Sequence, residues 1–234
     1  MATLLLQLIG PMQSWGTQSH FTHRDTGLEP SKSGVIGLLC AALGKPRNEA
    51  DLANQNKPSL SSLAALRMGV RVDREGLVKR DYHTAKNVMK ASGGPPKDTE
   101  LSDRFYLADA AFLVGLEGDM GLLQVLHERL RRPVWMLFLG RKSFVLGEPA
   151  WLRDGLKPEL SLEDVLLHPQ YRYRAIATQQ EGFDDKHVRV VIEDNDRGSI
   201  VRNDQPTTFN RKSLTQHCTA RRVRIEFPSL QEGD

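Results

Sequence analysis

The sequence predicts an α+β fold, and three observations carry that reading: apolar runs of strand length, two segments with apolar residues at helical spacing, and their order along the chain. Thr3 to Ile9 is a compact apolar strand. It empties into Gly10-Pro11-Met12-Gln13-Ser14-Trp15-Gly16, a loop bracketed by glycines. Pro30-Ser31-Lys32-Ser33-Gly34 then opens a helix on small polar residues, and Val35, Leu38, Leu39, Ala42 and Leu43 recur along one face. Gly44 followed by Lys45-Pro46 is its stop signal.

A short apolar helix is predicted around Leu60 to Leu66. Arg67-Met68-Gly69-Val70-Arg71-Val72 follows, and its strict alternation predicts a half-buried strand. Ala110 to Leu116 is a continuous apolar run suited to the centre of a sheet. Asp119 can start a helix whose Leu122, Leu123, Leu126 and Leu130 form one face, ended by Pro133. Val134 to Leu139 reads as the next strand, bounded by Gly140. Strand, helix, strand, strand, helix, strand is the split βαβ order of the ferredoxin-like fold, on which RRM-like RNA-recognition domains are built.

Between the second and third strands the chain inserts residues 77–108 where a short turn would suffice. The insert has a Ser92-Gly93-Gly94-Pro95-Pro96 tip that is turn chemistry, and both flanks carry basic and aromatic residues. A projecting β arm, a thumb, is the expectation. Residues 1–147 are therefore read as a ferredoxin-like RNA-binding domain carrying the arm. Residues 148–234 are read as a β-rich C-terminal region. It opens with a connector in which Ser161 and Asp164 start a short helix, and continues with strands at Tyr171–Thr178, His187–Glu193, Ser199–Arg202 and Ala220–Phe227.

With 234 residues, 39% of them hydrophobic, the chain can bury a substantial core. A net charge of +3 leaves no strong overall field, so a polyanion must be met by local clusters. Such clusters occur at 79–90, 129–142 and 202–224. Two cysteines, Cys40 and Cys218, make no framework and no zinc spacing, which fits a reducing cytoplasm. The N-terminal apolar run lacks a basic leader and cleavage site, and no run reaches membrane-spanning length. No cofactor, metal or membrane is expected.

The residue types that hold a single-stranded polynucleotide are phosphate donors, stacking faces and polar groups that read base edges. Lys32 and Ser33 stand at a helix start, where free N–H groups and the macrodipole favour anions, and Arg141 with Lys142 follows Gly140. Gln13, Ser14 and the Trp15 indole are offered by the glycine loop. Arg80, Tyr82 and His83 lie in the arm, with Tyr82 a second stacking candidate. Arg24 and Arg104 complete the set, although an internal salt bridge also accounts for either.

Six motifs occur in a set order: the Gly10–Gly16 loop, Pro30–Gly34, Arg71-Val72-Asp73, Asp81-Tyr82-His83-Thr84, Arg104-Phe105-Tyr106-Leu107-Ala108-Asp109-Ala110 and Leu139-Gly140-Arg141-Lys142-Ser143. As a set they resemble the fifth Cas family of CRISPR-associated proteins, in its type I-E branch, over roughly residues 3 to 147. The resemblance implies a non-catalytic RNA-binding subunit of the Cascade ribonucleoprotein complex in antiviral defense. Such a subunit caps the backbone filament, grips the five-prime handle of the CRISPR guide RNA, and inserts its arm near the first spacer nucleotides. The implied partners are the guide RNA, the repeated backbone subunit and the large PAM-recognising subunit, with target DNA met only through the complex.

Catalysis is the alternative. His83 beside Tyr82, with Lys86 near, is the residue set of a metal-independent endoribonuclease acting on CRISPR repeat RNA. The type I-C branch of the same family does process guide RNA. His20, His23 and Asp25 form a weak metal grouping with no third strong ligand.

Overall fold

The computed structural model describes residues 1–19, 22–90, 92–167, 188–210 and 217–228. Strand β1 (Ala2–Ile9) is followed by two short strands, β2 (Met12–Gln13) and β3 (His23–Arg24). Helix α1 (Lys32–Leu43) is capped by Ser31, whose hydroxyl accepts the Gly34 N–H, and closes on Gly44 at φ 62°. Helix α2 (Leu60–Ala64) leads into β4 (Arg67–Arg74). A hairpin of two twelve-residue strands, β5 (Leu77–Val88) and β6 (Lys97–Ala108), precedes β7 (Ala111–Gly118). Helix α3 (Met120–Arg131), capped by Asp119, leads to β8 (Trp151–Pro158) and α4 (Leu162–Leu166). Strands β9 (Arg189–Glu193), β10 (Ile200–Pro206) and β11 (Cys218–Glu226) follow.

Seven strands make one sheet in the order β10-β11-β9-β4-β7-β1-β8, every neighbouring pair antiparallel. Alternation decides its two faces. Leu4, Leu6, Leu8, Val70, Phe112 and Val114 point to the face covered by α1 and α3, where Ile36, Leu39, Leu123 and Leu126 are fully buried. Leu5 and Leu113 point the other way, onto Leu162, Val165 and Leu166 of α4. No helix among the described residues is long and apolar enough to cross a membrane.

One expected strand is absent. Val134 to Leu139 follows the end of α1: the N–H groups of Val134 and Trp135 donate to the carbonyls of Ala42 and Ala41, at 3.0 and 3.1 Å. Carbonyls of the last helical turn lack the usual i+4 partner, the Ala41 one being met only by the Gly44 cap N–H at 3.1 Å, so an apolar segment that caps them and plugs Leu139 into the core resembles a strand in sequence alone. The place beside β1 goes to β8, with Leu4 opposite Leu156. Of the tail strands predicted at His187–Glu193, Ser199–Arg202 and Ala220–Phe227, the described residues form β9, β10 and β11, which extend the same sheet beyond β4, with His187 itself outside the described residues. The predicted strand at Tyr171–Thr178 lies outside the described residues.

Among its described residues, the basic run at 202–224 is largely spent on the fold itself. Arg202 pairs with Glu29 at 2.8 Å, Arg221 with Asp204 at 2.7 Å and Arg224 with Glu163 at 2.9 Å. Arg67 also pairs with Glu163, and this hydrogen bond, the largest cause, takes the Glu163 carboxyl down from 4.5 to about 2. Because the folded value lies below the unfolded one, the stabilisation is complete above pH 4.5 and is lost as pH falls toward 2. Glu163→Gln is therefore expected to flatten the acid limb of stability in that window, read from thermal midpoints between pH 2 and 7.

Candidate nucleic-acid interface

The glycine loop turns inward. Trp15 is 2% exposed, and its indole N–H donates to Gln13 Oε1 at 3.1 Å. The Gln13 amide in turn donates to the carbonyls of Leu8 (3.1 Å) and Ala110 (2.8 Å). Both residues are corrected from base contacts to core: a buried indole and amide satisfy one another and tie β1 to the start of β7. Ser14 is nearly buried, with its hydroxyl toward the Phe105 carbonyl at 3.4 Å.

Lys32 is corrected in the same way. It is 1% exposed, and Nζ donates to both carboxylate oxygens of Glu193, at 2.9 and 2.8 Å. Burial pushes its ammonium down from the ordinary value, and Glu193 works against that. The helix N-terminus already holds an anion, because the Lys32 backbone N–H donates to Asp204 at 2.7 Å. The start of the helix does attract an anion, but the carboxylate comes from β10 of the same chain. Ser33 and Lys142 belong to a different cavity, beside α1.

What the fold assembles is a pocket of about 340 Å³ at the base of the hairpin. Arg24, Arg104 and Arg141 line it, with Ser14, Ser19 and Asp25. β3 pairs in parallel with β6, setting Arg24 beside Arg104. Arg141 arrives from the Gly140 loop, donating to the Phe105 carbonyl at 2.9 Å with its guanidinium 5.2 Å over the Phe144 ring. Partial burial and then the positive charge of Arg104 lower the Arg141 guanidinium from its ordinary value, while Asp81 and Asp25 oppose the shift. Three guanidiniums against the single carboxylate of Asp25 leave the lining net positive, which suits an anionic ligand.

Asp25 shapes the wall. It accepts the N–H groups of Thr17 (3.1 Å) and Gln18 (3.0 Å) and the Ser19 hydroxyl. Burial works to raise this carboxyl, yet the hydrogen bonds from Ser19, Gln18 and Thr17 leave it below its ordinary value. Gly16, which closes the glycine loop, also lines the pocket, whereas Ser19 is marked in the sequence only by a turn signal, an acid that follows a run of Thr, Gln and Ser by a few residues. Of the weak metal grouping, His20 lies outside the described residues.

Gly140 is the joint. It sits at φ 92°, and a Cβ there would overlap the backbone carbonyl of Ser14. Gly140→Ala is expected to cost about 2–4 kcal/mol and to detach Arg141 from the pocket, measured by urea unfolding.

The hairpin divides the arm candidates. Eleven register pairs run from Leu77 opposite Ala108 to Val88 opposite Lys97, and at about 3.3 Å per residue the arm is about 40 Å long. Asp81 opposes Arg104 and His83 opposes Ser102, on the pocket side. Arg80 opposes Phe105 and Tyr82 opposes Asp103, on the other face, where Arg80 Nε donates to Asp103 at 2.8 Å and its guanidinium lies 5.9 Å over the Tyr82 ring. Tyr82 and His83 are neighbours in sequence but point to opposite faces, and Lys86 shares the Tyr82 face. The His83 acid–base grouping considered above is therefore not assembled.

The family model for "CRISPR-associated protein (Cas_Cas5)" matches residues 3–224. The CRISPR system Cascade subunit CasD of Escherichia coli K12 is 33% identical over 156 residues, covering 64% of this chain and 69% of that protein. A crystal structure of a Cas protein superposes with a TM-score of 0.70 at 40% identity, covering 97% of this chain and 95% of the other. A chain of a CRISPR RNA-guided surveillance complex gives a TM-score of 0.69 at 30% identity, over 97% and 90%. A match over residues 3–224, which spans the seven-stranded sheet and also β3 and β6 that carry Arg24 and Arg104, makes this chain a member of the Cas5 family of CRISPR-associated proteins.

Proposed function

We propose that this chain is the Cascade subunit that binds the five-prime handle of the CRISPR guide RNA and caps the backbone filament, acting in the cytoplasm by binding and not by cutting. The observation that carries the reading is the placement of Arg24, Arg104 and Arg141 around one open pocket at the root of a long exposed hairpin. Guanidiniums in that arrangement suit phosphates of a sharply turned single strand. The order β4-β7-β1-β8, with α1 and α3 on one face, fits the ferredoxin-like plan of RNA-recognition domains. The hairpin, with Tyr82, Met89 and Leu77 exposed, is then the thumb that reaches toward the first spacer nucleotides. Residues 1–147 would carry the RNA, and residues 148–234 would complete the sheet beside the backbone subunit and the large PAM-recognising subunit.

End-labelled repeat RNA incubated with the purified chain tests this. The expected result is a salt-sensitive mobility shift with RNA of unchanged length. Shortened RNA overturns the reading in favour of an endoribonuclease, and an equal shift with unrelated RNA overturns it in favour of a nonspecific basic surface.

A further inference from the structure

A second cavity of about 810 Å³ runs along the outer side of α1, separate from the arginine pocket except at Gly140. Its walls are mostly carbon: Leu38 and Ala41 of the helix, Phe138 and Phe209, and a mouth formed by Trp135 and Met136, which are 47% and 75% exposed. Gly37 lies on its floor. In a helix interior glycine costs stability relative to alanine, and such a cost is usually repaid by close packing. Among the described residues nothing collects it, because there a Cβ at Gly37 would meet only the Phe209 ring, at an ordinary 3.9 Å. A bare helix backbone facing an open apolar groove suits close approach by another molecule.

The charge around the groove selects the occupant. Lys45, Arg47 and Lys142 line it, and among the described residues no carboxylate does. Lys45 is paired with Glu49 outside the lining, so Arg47 and Lys142 supply the remaining positive rim. Exposed Val134 and Met136 beside Trp135 give aliphatic and thioether surface, the composition of a protein interface core more than of a base-stacking platform. We infer that this groove receives an acidic amphipathic segment of a partner polypeptide, its apolar side chains seated between Trp135, Met136 and Phe209 against the helix backbone at Gly37. The inference rests on reading the chain as a subunit of a larger complex.

Two measurements on the full chain, assembled with guide RNA and the other complex subunits, decide it. With benzoylphenylalanine in place of Met136, irradiation should cross-link the chain to a partner polypeptide, and mass spectrometry should place the adduct in a segment rich in Asp, Glu and apolar residues. An adduct on RNA, on a segment lacking that composition, or none at all overturns the inference. Gly37→Gln, which fills the groove from the helix, should keep its melting temperature and its handle-RNA shift while recovery in the complex falls at least tenfold. Recovery equal to that of the unaltered chain also overturns it. Failure of the unaltered chain to shift handle RNA counts against the guide-binding function instead, and the cross-link still decides the groove.

Discussion

Lys32→Ala is expected to lower stability by about 3–5 kcal/mol while leaving the RNA affinity of the folded fraction unchanged. The lysine is the buried partner of Glu193, and its removal strands a carboxylate that is 6% exposed. Arg221, 3.6 Å from the same carboxylate, softens the loss but is already committed to Asp204 at 2.7 Å. Four charges therefore sit in one neutral cluster: Lys32 and Arg221 with Glu193 and Asp204. Breaking it releases the start of α1 from β9 and β10, so the loss should appear as a shifted urea midpoint in a single cooperative transition. A variant that unfolds like the parent but no longer shifts handle RNA would return Lys32 to the RNA interface.

Arg24→Gln combined with Arg104→Gln is expected to do the reverse. Each guanidinium offers charge-assisted hydrogen bonds worth about 1.5–3 kcal/mol, so the pair should weaken handle binding by about a hundredfold or more. The salt dependence supplies an independent sign: on a single strand, each lost phosphate contact lowers the slope of log affinity against log salt by about 0.7. Folding should barely respond, since Arg24 is exposed and, among the described residues, the side-chain hydrogen bond of Arg104 goes to Ser102. Arg80→Gln, on the opposite face of the hairpin, is the control and is expected to leave affinity nearly unchanged. Equal losses from Arg80→Gln would show that RNA wraps both faces, and an unchanged double variant would remove the pocket from the interface.

The separation of these two phenotypes marks where local pattern stops being informative. Ser31 as a helix cap, Gly44 as its stop, Asp119 and the Ser161–Asp164 capping box all appear where short-range chemistry places them. The hairpin was legible because twenty or more residues of strand and turn signals cannot fit a tight connection. The strand assigned to Val134–Leu139 was not legible, because an apolar hexapeptide that caps α1 and one that joins a sheet have the same composition. Register was harder still: Tyr82 and His83 adjoin in sequence, and only the pairing with Ser102 and Asp103 shows that they face apart.

By itself, the sequence determined the α+β order of elements, the long basic arm and the family resemblance, because the first two rest on short-range pattern and the third on the linear order of six short motifs. Only the tertiary structure decided which cations are free to meet a ligand. Lys32, Arg202, Arg221 and Arg224 find carboxylates distant in sequence, at Glu193, Glu29, Asp204 and Glu163, and are absorbed into the fold. Arg24, Arg104 and Arg141 come from three separate segments and meet around one pocket because β3 pairs with β6 and Gly140 packs on Ser14. Charge is a property of the residue, but its availability depends on long-range pairing, and no local pattern encodes that partner.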